Sequence, residues 1–192
     1  MKLTKETFRE ICLKKNRKNG QKNRIYKNYE VNRRLQELLK ELTKKRRGLK
    51  ILFYYPLQNE ADIRKSLTFF RKKHQIFLPF MEGKSFKMVP FRLPLKRKKF
   101  GIMEAGNSLR IINKIDIAIV PVVGIDKNLQ RVGFGKGMYD RFFPTLKQKP
   151  FTVFVQLEPC ITKKRLCDAY DIRADYYISS SKNISRRLKR EK

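Results

Sequence analysis

Apolar residues recur along this chain with two different rhythms, and the alternation between them outlines a fold. Val31, Leu35, Leu38, Leu39 and Leu42 repeat at helical spacing and predict a long amphipathic helix closed by Gly48. Leu3, Phe8, Ile11 and Cys12 form a thinner stripe for an earlier helix, which Gly20 stops. Ile63, Leu67 and Phe70 predict a third helix over 62–73. Between these lie short apolar runs without helical spacing. Residues 49–55, ending at Pro56, read as a buried strand, and 115–123 as the clearest strand in the chain. Residues 76–80, 86–92, 151–157 and 176–180 complete the set, with Pro90 placing 86–92 near an edge or bulge. A helix is expected to start near Met138 and to end or break at Pro144, and 161–167 reads as a short helix or turn. Residues 94–114 are irregular and basic, broken by Gly101 and Gly106.

Strands alternating with helices predict an α/β protein: three layers, a mostly parallel sheet with helices on both faces. One domain over 1–181 followed by a basic tail at 182–192 is expected. Ligands of such folds sit outside the carboxyl ends of the strands. That rule gathers Glu60, the segment 133–140 and the segment 156–158 at one cleft.

Composition narrows the classes. No stretch approaches the ~20 apolar residues of a membrane span, and the first residues carry no apolar signal-peptide core. Cys12, Cys160 and Cys167 are odd in number and form no C-x-x-C pair, so they read as reduced thiols of a cytoplasmic protein rather than as a disulfide or zinc framework. His74, within Arg-Lys-Lys-His, reads as a surface residue. The formal net charge is +31. Such a field attracts polyanions, but the lysines and arginines are spread along the chain. They fit a nucleic-acid surface only if the fold gathers them, and otherwise decorate solvated faces. No zinc-finger spacing or RNA-binding aromatic motif accompanies them.

The densest chemistry follows the clearest strand: Arg131-Val-Gly-Phe-Gly-Lys-Gly-Met-Tyr-Asp-Arg141. Gly133, Gly135 and Gly137 allow backbone N–H groups to approach an anion closely, and Lys136 adds a point charge. The glycine spacing matches neither a Walker A loop nor a dinucleotide fingerprint. Spacing alone leaves a phosphate cradle and a plain connecting loop both open. Lys5 and Arg9, four apart, share one side of the first helix, either as a solvated basic face or as an anion clamp.

The segment from Pro121 to Arg141 resembles the signature of the 5-formyltetrahydrofolate cyclo-ligase family, with Pro121, Asp126, Arg131, Gly133, Gly135, Lys136, Gly137, Tyr139, Asp140 and Arg141 in register. The pair Lys5/Arg9, the pair Glu60/Asp62 and the run Asp171–Asp175 fall in the same order as that family's other islands. Gln130, Val132, Met138 and Ala105 depart from it; Met138 stands where the first of two tyrosines is usual.

The resemblance implies an ATP-dependent ring closure of 5-formyltetrahydrofolate. It implies Arg131 and Lys136 as catalytic groups. Lys5, Arg9, Arg131, Gly133, Phe134, Gly135, Lys136, Gly137, Met138, Tyr139 and Asp140 would bind the nucleotide. Tyr55, Glu60, Phe134 and Met138 would bind the folate, Glu60 through the pterin N–H groups. Asp140 and Asp175 would orient Mg²⁺. The implied protein is a monomer acting on a small, polyglutamylated substrate, with no need of membrane or nucleic acid. Two other readings stay open: a basic nucleic-acid-binding module, and a catalytically weak relative that binds folate or nucleotide.

Overall fold

The apolar stripe from Val31 to Leu42 lies on α2 (Arg24–Thr43), preceded by α1 (Lys5–Asn19). This is a computed structural model, and it describes residues 3–98, 103–108 and 111–186. The Thr4 side chain accepts from the Thr7 N–H, and the Thr7 hydroxyl accepts from the Thr4 N–H in return, so α1 starts on a reciprocal cap. The helix stops at Gly20 as expected. The second helix ends at Thr43, earlier than its pattern suggests. Gly48 serves instead as a positive-φ corner (φ +69°) leading into the sheet.

The main sheet has seven strands: β1 (Lys50–Leu52), β2 (Gln75–Glu82), β3 (Ser85–Pro90), β6 (Ile117–Pro121), β9 (Phe151–Val155), β10 (Tyr176–Ile178) and β11 (Asn183–Ser185), with α3 (Arg64–Phe70) between β1 and β2. Their spatial order is β11-β10-β9-β6-β1-β2-β3. The inner pairs are parallel, while β3 and β11 close the two edges antiparallel. The chain thus builds outward from β1 in one direction, then returns to add β6 on its other side. The crevice between β1 and β6 is the switch point of such a sheet, where a ligand site is expected.

Alternation along the strands divides the core. Ile51, Phe53, Ile117, Ile119, Val153 and Val155 face Val31, Leu35 and Leu39 of α2 and Leu67 and Phe70 of α3. Leu52, Ala118, Val120, Phe154 and Tyr177 face the opposite layer. Each fully buried aliphatic side chain of this kind contributes about 1.5–3 kcal/mol. The opposite layer is thinner. It is made by α4 (Met138–Phe142), by Phe86 and Met88 of β3, and by the irregular segment around Ile115.

The remaining strands are short. A hairpin of β7 (Gly124–Ile125) and β8 (Arg131–Val132) follows β6, and a strap pairs β4 (Lys96–Arg97) with β5 (Met103–Glu104) inside the segment read as irregular. The segment 161–167 carries a single bridge, Ile161 to Ile125, and no helix. Gly101, Lys99 and the tail beyond 186 lie outside the described residues.

Two expectations are corrected. Cys12 of α1 and Cys160, beyond β9, form a disulfide between Cα atoms 5.6 Å apart. Neither an odd cysteine count nor the absence of C-x-x-C spacing registers that tertiary packing lays α1 across the carboxyl end of β9. Gly124 is part of that contact, since a Cβ there would meet Cys12 Sγ at 2.8 Å and Phe8 at 2.9 Å. Cys167 stays a free, buried thiol, pushed up to about 12 first by burial and then by neighbouring carboxylates. His74 is buried, 8% exposed, because its position next to β2 outweighs its basic sequence neighbours.

Candidate active site

The switch-point crevice opens into a cleft of about 920 Å³. The loop after β1 supplies Tyr54, Tyr55 and Glu60, and β6 ends in it at Pro121. The β2–β3 hairpin forms the facing wall with Phe80, Met81 and Phe86. Arg131 and the glycine segment close the other side.

Asp126 holds the path that leads to the glycine segment. Its buried carboxylate accepts N–H bonds from Asn128 and Gln130 within the β7–β8 turn, and from Leu166 and Cys167 across it. Four backbone donors on one carboxylate make a rigid corner, and β8 then delivers Arg131 into the cleft floor. The Arg131 guanidinium is buried. Its Nε donates to the Pro121 carbonyl at 3.2 Å, its Nη1 stands 3.5 Å from Asp140, and it lies 4.9 Å over the Tyr139 ring. A Cβ at position 133 would sit 2.4 Å from Arg131 Nη1. Gly133 is therefore required by the arginine beside it, apart from any anion.

Gly135 has a positive φ of +97°, a conformation that side chains disfavour. Arg9 of α1 lies against this turn and donates from Nε to the Gly133 carbonyl at 2.8 Å. Gly137, also at positive φ, turns the chain into α4. Arg141 reaches back from α4 to the carbonyls of Lys136 and Lys84, tying the glycine segment to the β2–β3 hairpin. Lys136 and Phe134 stand at the exposed mouth of the cleft.

Glu60 sits deeper. One of its oxygens accepts the Leu57 N–H at 2.9 Å. Burial raises its carboxyl to about 7, against the opposing pull of the Leu57 hydrogen bond and the Arg131 charge. The walls here are aromatic: Tyr54, held by a bond from its hydroxyl to the Ala61 carbonyl, Tyr55 under the Arg64 guanidinium, and Phe86 stacked on Phe142 at 4.2 Å. An acid inside an aromatic pocket, next to a cationic glycine turn, can hold a flat N–H-rich ring at one end and an anion at the other.

The residues singled out from sequence divide three ways. Arg9, Tyr55, Glu60, Arg131, Gly133, Phe134, Gly135, Lys136, Gly137, Met138, Tyr139 and Asp140 meet around this cleft or its glycine turn. Lys5 is paired with Asp171 and Asp168 and lies 5.5 Å from the Tyr170 ring, so its charge is shared with the C-terminal loop. Asp175 is not brought to the site, which corrects its assignment as a metal ligand beside Asp140. It immediately precedes β10, and residues entering parallel strands lie at their amino ends, opposite the cleft. There it accepts the Thr152 N–H and pairs with Arg186 at 2.8 Å. Asp140 accepts the Ile172 N–H besides facing Arg131. Among the described residues no three His, Cys, Asp or Glu side chains cluster as a metal site would require.

The sequence reading missed the hairpin wall and Glu104. Glu104 is buried in the cleft and accepts the Met81 N–H at 3.0 Å. The alternation through 76–89 was a signal for the hairpin; nothing in sequence ties Glu104 to it.

Fold and site together define an α/β domain with a cleft at its switch point, flanked by a glycine turn that carries Lys136 and has Arg9 and Arg131 against it. Comparison with known proteins makes this specific. Residues 1–158 match the model of the 5-formyltetrahydrofolate cyclo-ligase family, and the chain belongs to that family. A 5-formyltetrahydrofolate cyclo-ligase of Haemophilus influenzae is 30% identical over 98 residues, covering 50% of this chain and 48% of the relative. One of Mycoplasma pneumoniae is 49% identical over 39 residues, 20% of this chain and 24% of that protein. These alignments span about half, or less, of the curated relatives' length. The Aquifex aeolicus 5,10-methenyltetrahydrofolate synthetase superimposes with a TM-score of 0.77 at 27% identity, over 96% of this chain and 94% of that one. A Mycoplasma pneumoniae 5,10-methenyltetrahydrofolate synthetase shares the fold with a TM-score of 0.69 at 22% identity, over 92% and 98%. No helix among the described residues is long and apolar enough to cross a membrane.

Proposed function

We propose that this chain catalyses the ATP-dependent closure of 5-formyltetrahydrofolate to 5,10-methenyltetrahydrofolate, releasing ADP and phosphate. The observation that carries the proposal is the two-ended cleft, in which Arg131 lies between the aromatic, acid-bearing pocket and the glycine turn. Transfer of the γ-phosphoryl group to the formyl oxygen makes that oxygen leave as phosphate when N10 closes the five-membered ring. Such chemistry asks a protein mainly for alignment and charge neutralisation.

The pterin ring lies against Tyr55, Phe134 and Met138, with its N–H groups donating to Glu60. Those donors favour the charged carboxylate over the acid, so folate binding tightens as pH rises through about 7. Backbone N–H groups of the glycine turn, with Arg9 and Lys136, hold the nucleotide phosphates, and Lys5 adds charge from α1. Arg131, buried and fixed by Pro121 and Asp140, faces the charge that moves between the two ends. The positive turn and the donor set fit a nucleoside triphosphate. They do not make a two-carboxylate magnesium site, because Asp140 stands beside the turn without Asp175. A magnesium ion held here would rest on Asp140 and the phosphates themselves, in keeping with the few protein carboxylates it takes elsewhere. The +31 charge suits a polyglutamylated folate and a nucleotide.

The test is a spectroscopic assay with 5-formyltetrahydrofolate, ATP and magnesium, following appearance of the methenyl chromophore. Turnover that requires all three is expected. Tight folate binding with no ATP-dependent product would leave a binding protein in its place, and affinity for nucleic acid that falls steeply with salt, without turnover, would favour the charge-based alternative.

A further inference from the structure

A second concave surface lies at the opposite end of the same sheet. It is a groove of about 420 Å³ where β1 and β2 begin and β3 ends. Its cations are Lys50, Arg71, Arg92 and Lys114. Phe91 forms part of the wall, with the Arg71 guanidinium 4.8 Å over its ring, which makes a flat cationic shelf. Ile76, Phe77 and Ile112 make the rest apolar. No carboxylate is among its lining residues, and Asp116, which accepts the Lys50 N–H at 2.9 Å, is already paired with Arg46 at 3.2 Å.

His74 lines this groove, and it is the chain's single histidine. It is 8% exposed, with its ring 6.1 Å from that of Phe70. Its Nδ1 is buried without a hydrogen-bond partner. Among the described residues the only other buried side-chain atoms without a partner, Asn16 Oδ1 and Arg24 Nη1, lie on α1 and α2 away from this groove, whereas Ser66, Thr152 and Gln156 are hydrogen-bonded. A buried ring nitrogen left unpaired costs free energy and asks for a reason. Internal hydrogen bonding does not supply one for His74, whereas recognition in a cationic groove does.

We propose that this groove binds a small phosphorylated organic molecule of about mononucleotide size. The volume falls in the range of roughly 300–1,000 Å³ usual for small-ligand sites. Several cations with one neutralised acid suit a multiply charged phosphate, and the Phe91–Arg71 shelf suits a planar body. Burial first, and then the Lys73 charge, hold the imidazole below its ordinary value, so it is neutral before binding. The charges around it are Lys50, Arg71, Lys73, Arg92 and Lys114, opposed by Asp116. A bound dianion offsets part of this positive charge at the ring and raises its affinity for a proton. The site is independent of the cleft and of the activity proposed for it.

Because the histidine is unique, its ring resonances report this groove alone. Nuclear magnetic resonance of the full chain, titrated with inorganic pyrophosphate and separately with AMP, should show saturable shifts of the His74 ring. The midpoint of its titration should rise by about one pH unit or more. The double variant Arg71→Gln/Lys114→Gln, both exposed positions, should weaken that response at least tenfold while leaving ATP-dependent turnover as in the wild type. Lys136→Ala should leave the His74 response intact. The proposal is overturned if chloride at matched ionic strength shifts His74 equally, or if the double variant responds like the wild type. It also falls if a single-stranded oligonucleotide moves the ring while pyrophosphate and AMP do not.

Discussion

The two ends of the sheet use acidic residues in opposite ways. At the amino ends, Asp116 and Asp175 each stand one residue before a parallel strand. Each accepts the backbone N–H of the neighbouring strand, Lys50 at 2.9 Å and Thr152 at 3.0 Å, and each pairs with an arginine, Arg46 or Arg186. The same clip occurs twice and holds strand to strand. At the carboxyl ends, Glu60 and Asp140 face a cleft. Glu60 sits with its proton poised near neutrality, and Asp140 stands opposite the buried Arg131. For these four acids the end of the strand sorts clip from cleft, although Asp126, also beyond a strand's carboxyl end, is a structural corner. Clips are cheap where strands arrive side by side, and sites form where the loops of β1 and β6 diverge.

The largest effect should come from the covalent tie at the cleft end. Cys12→Ser removes a link between residues 148 apart in sequence. It should cost about 2–5 kcal/mol of unfolding free energy, read by urea denaturation without reductant. The gap between variant and wild type should close in excess dithiothreitol. Equal midpoints without reductant would mean that α1 is held by packing alone.

Glu60→Gln should separate stability from binding. Below about pH 4.5 the carboxyl is protonated folded or unfolded and costs nothing. Between there and about 7 the unfolded chain ionises first, so stability falls, and above 7 the full cost remains. The apo variant should therefore be about 3 kcal/mol more stable at pH 8 and no more stable at pH 4, while its KM for the folate rises and its ATP affinity holds. A variant destabilised at pH 8 would show that Glu60 supports the fold as the amino-end acids do.

Lys136→Ala should lower ATP-dependent turnover by about ten- to a hundredfold with an unchanged melting temperature, in line with roughly 1.5–3 kcal/mol for a charge-assisted contact. Wild-type kinetics would remove the phosphate role from the glycine turn.

The smallest effect distinguishes the two aspartates directly. Asp175→Asn keeps its acceptor for Thr152 and loses only a partly exposed ion pair, worth about 0–1 kcal/mol. Its magnesium half-saturation should match the wild type, whereas Asp140→Asn should raise that half-saturation severalfold. If both variants respond alike, the two ends are coupled in a way that their geometry does not suggest.

Much of this was legible beforehand. Helical and strand periods located α2, the strand of Ile117–Pro121 and the α/β class, because burial on one stripe or on both faces leaves a mark in local composition. The glycines of 133–137 marked the turn, since positive φ restricts residue choice locally. Arg131, Glu60 and Asp140 were found because their segments resemble the family's islands, and the cleft-end rule for such sheets placed Glu60 and the glycine segment together. Asp175 was misplaced for want of the same bookkeeping, as it precedes one.

What the sequence by itself determined is therefore whatever depends on near neighbours: element type, the glycine turn, and the stock of charges. What only the tertiary structure decided is whatever depends on distant segments meeting. Cys12 finds Cys160 because α1 crosses the end of β9, Glu104 enters the cleft through a strap beside Met81, and His74 goes under despite three basic residues before it. The physical reason is that a side chain's burial, partner and protonation are properties of the space around it. That space is filled mostly by residues remote along the chain.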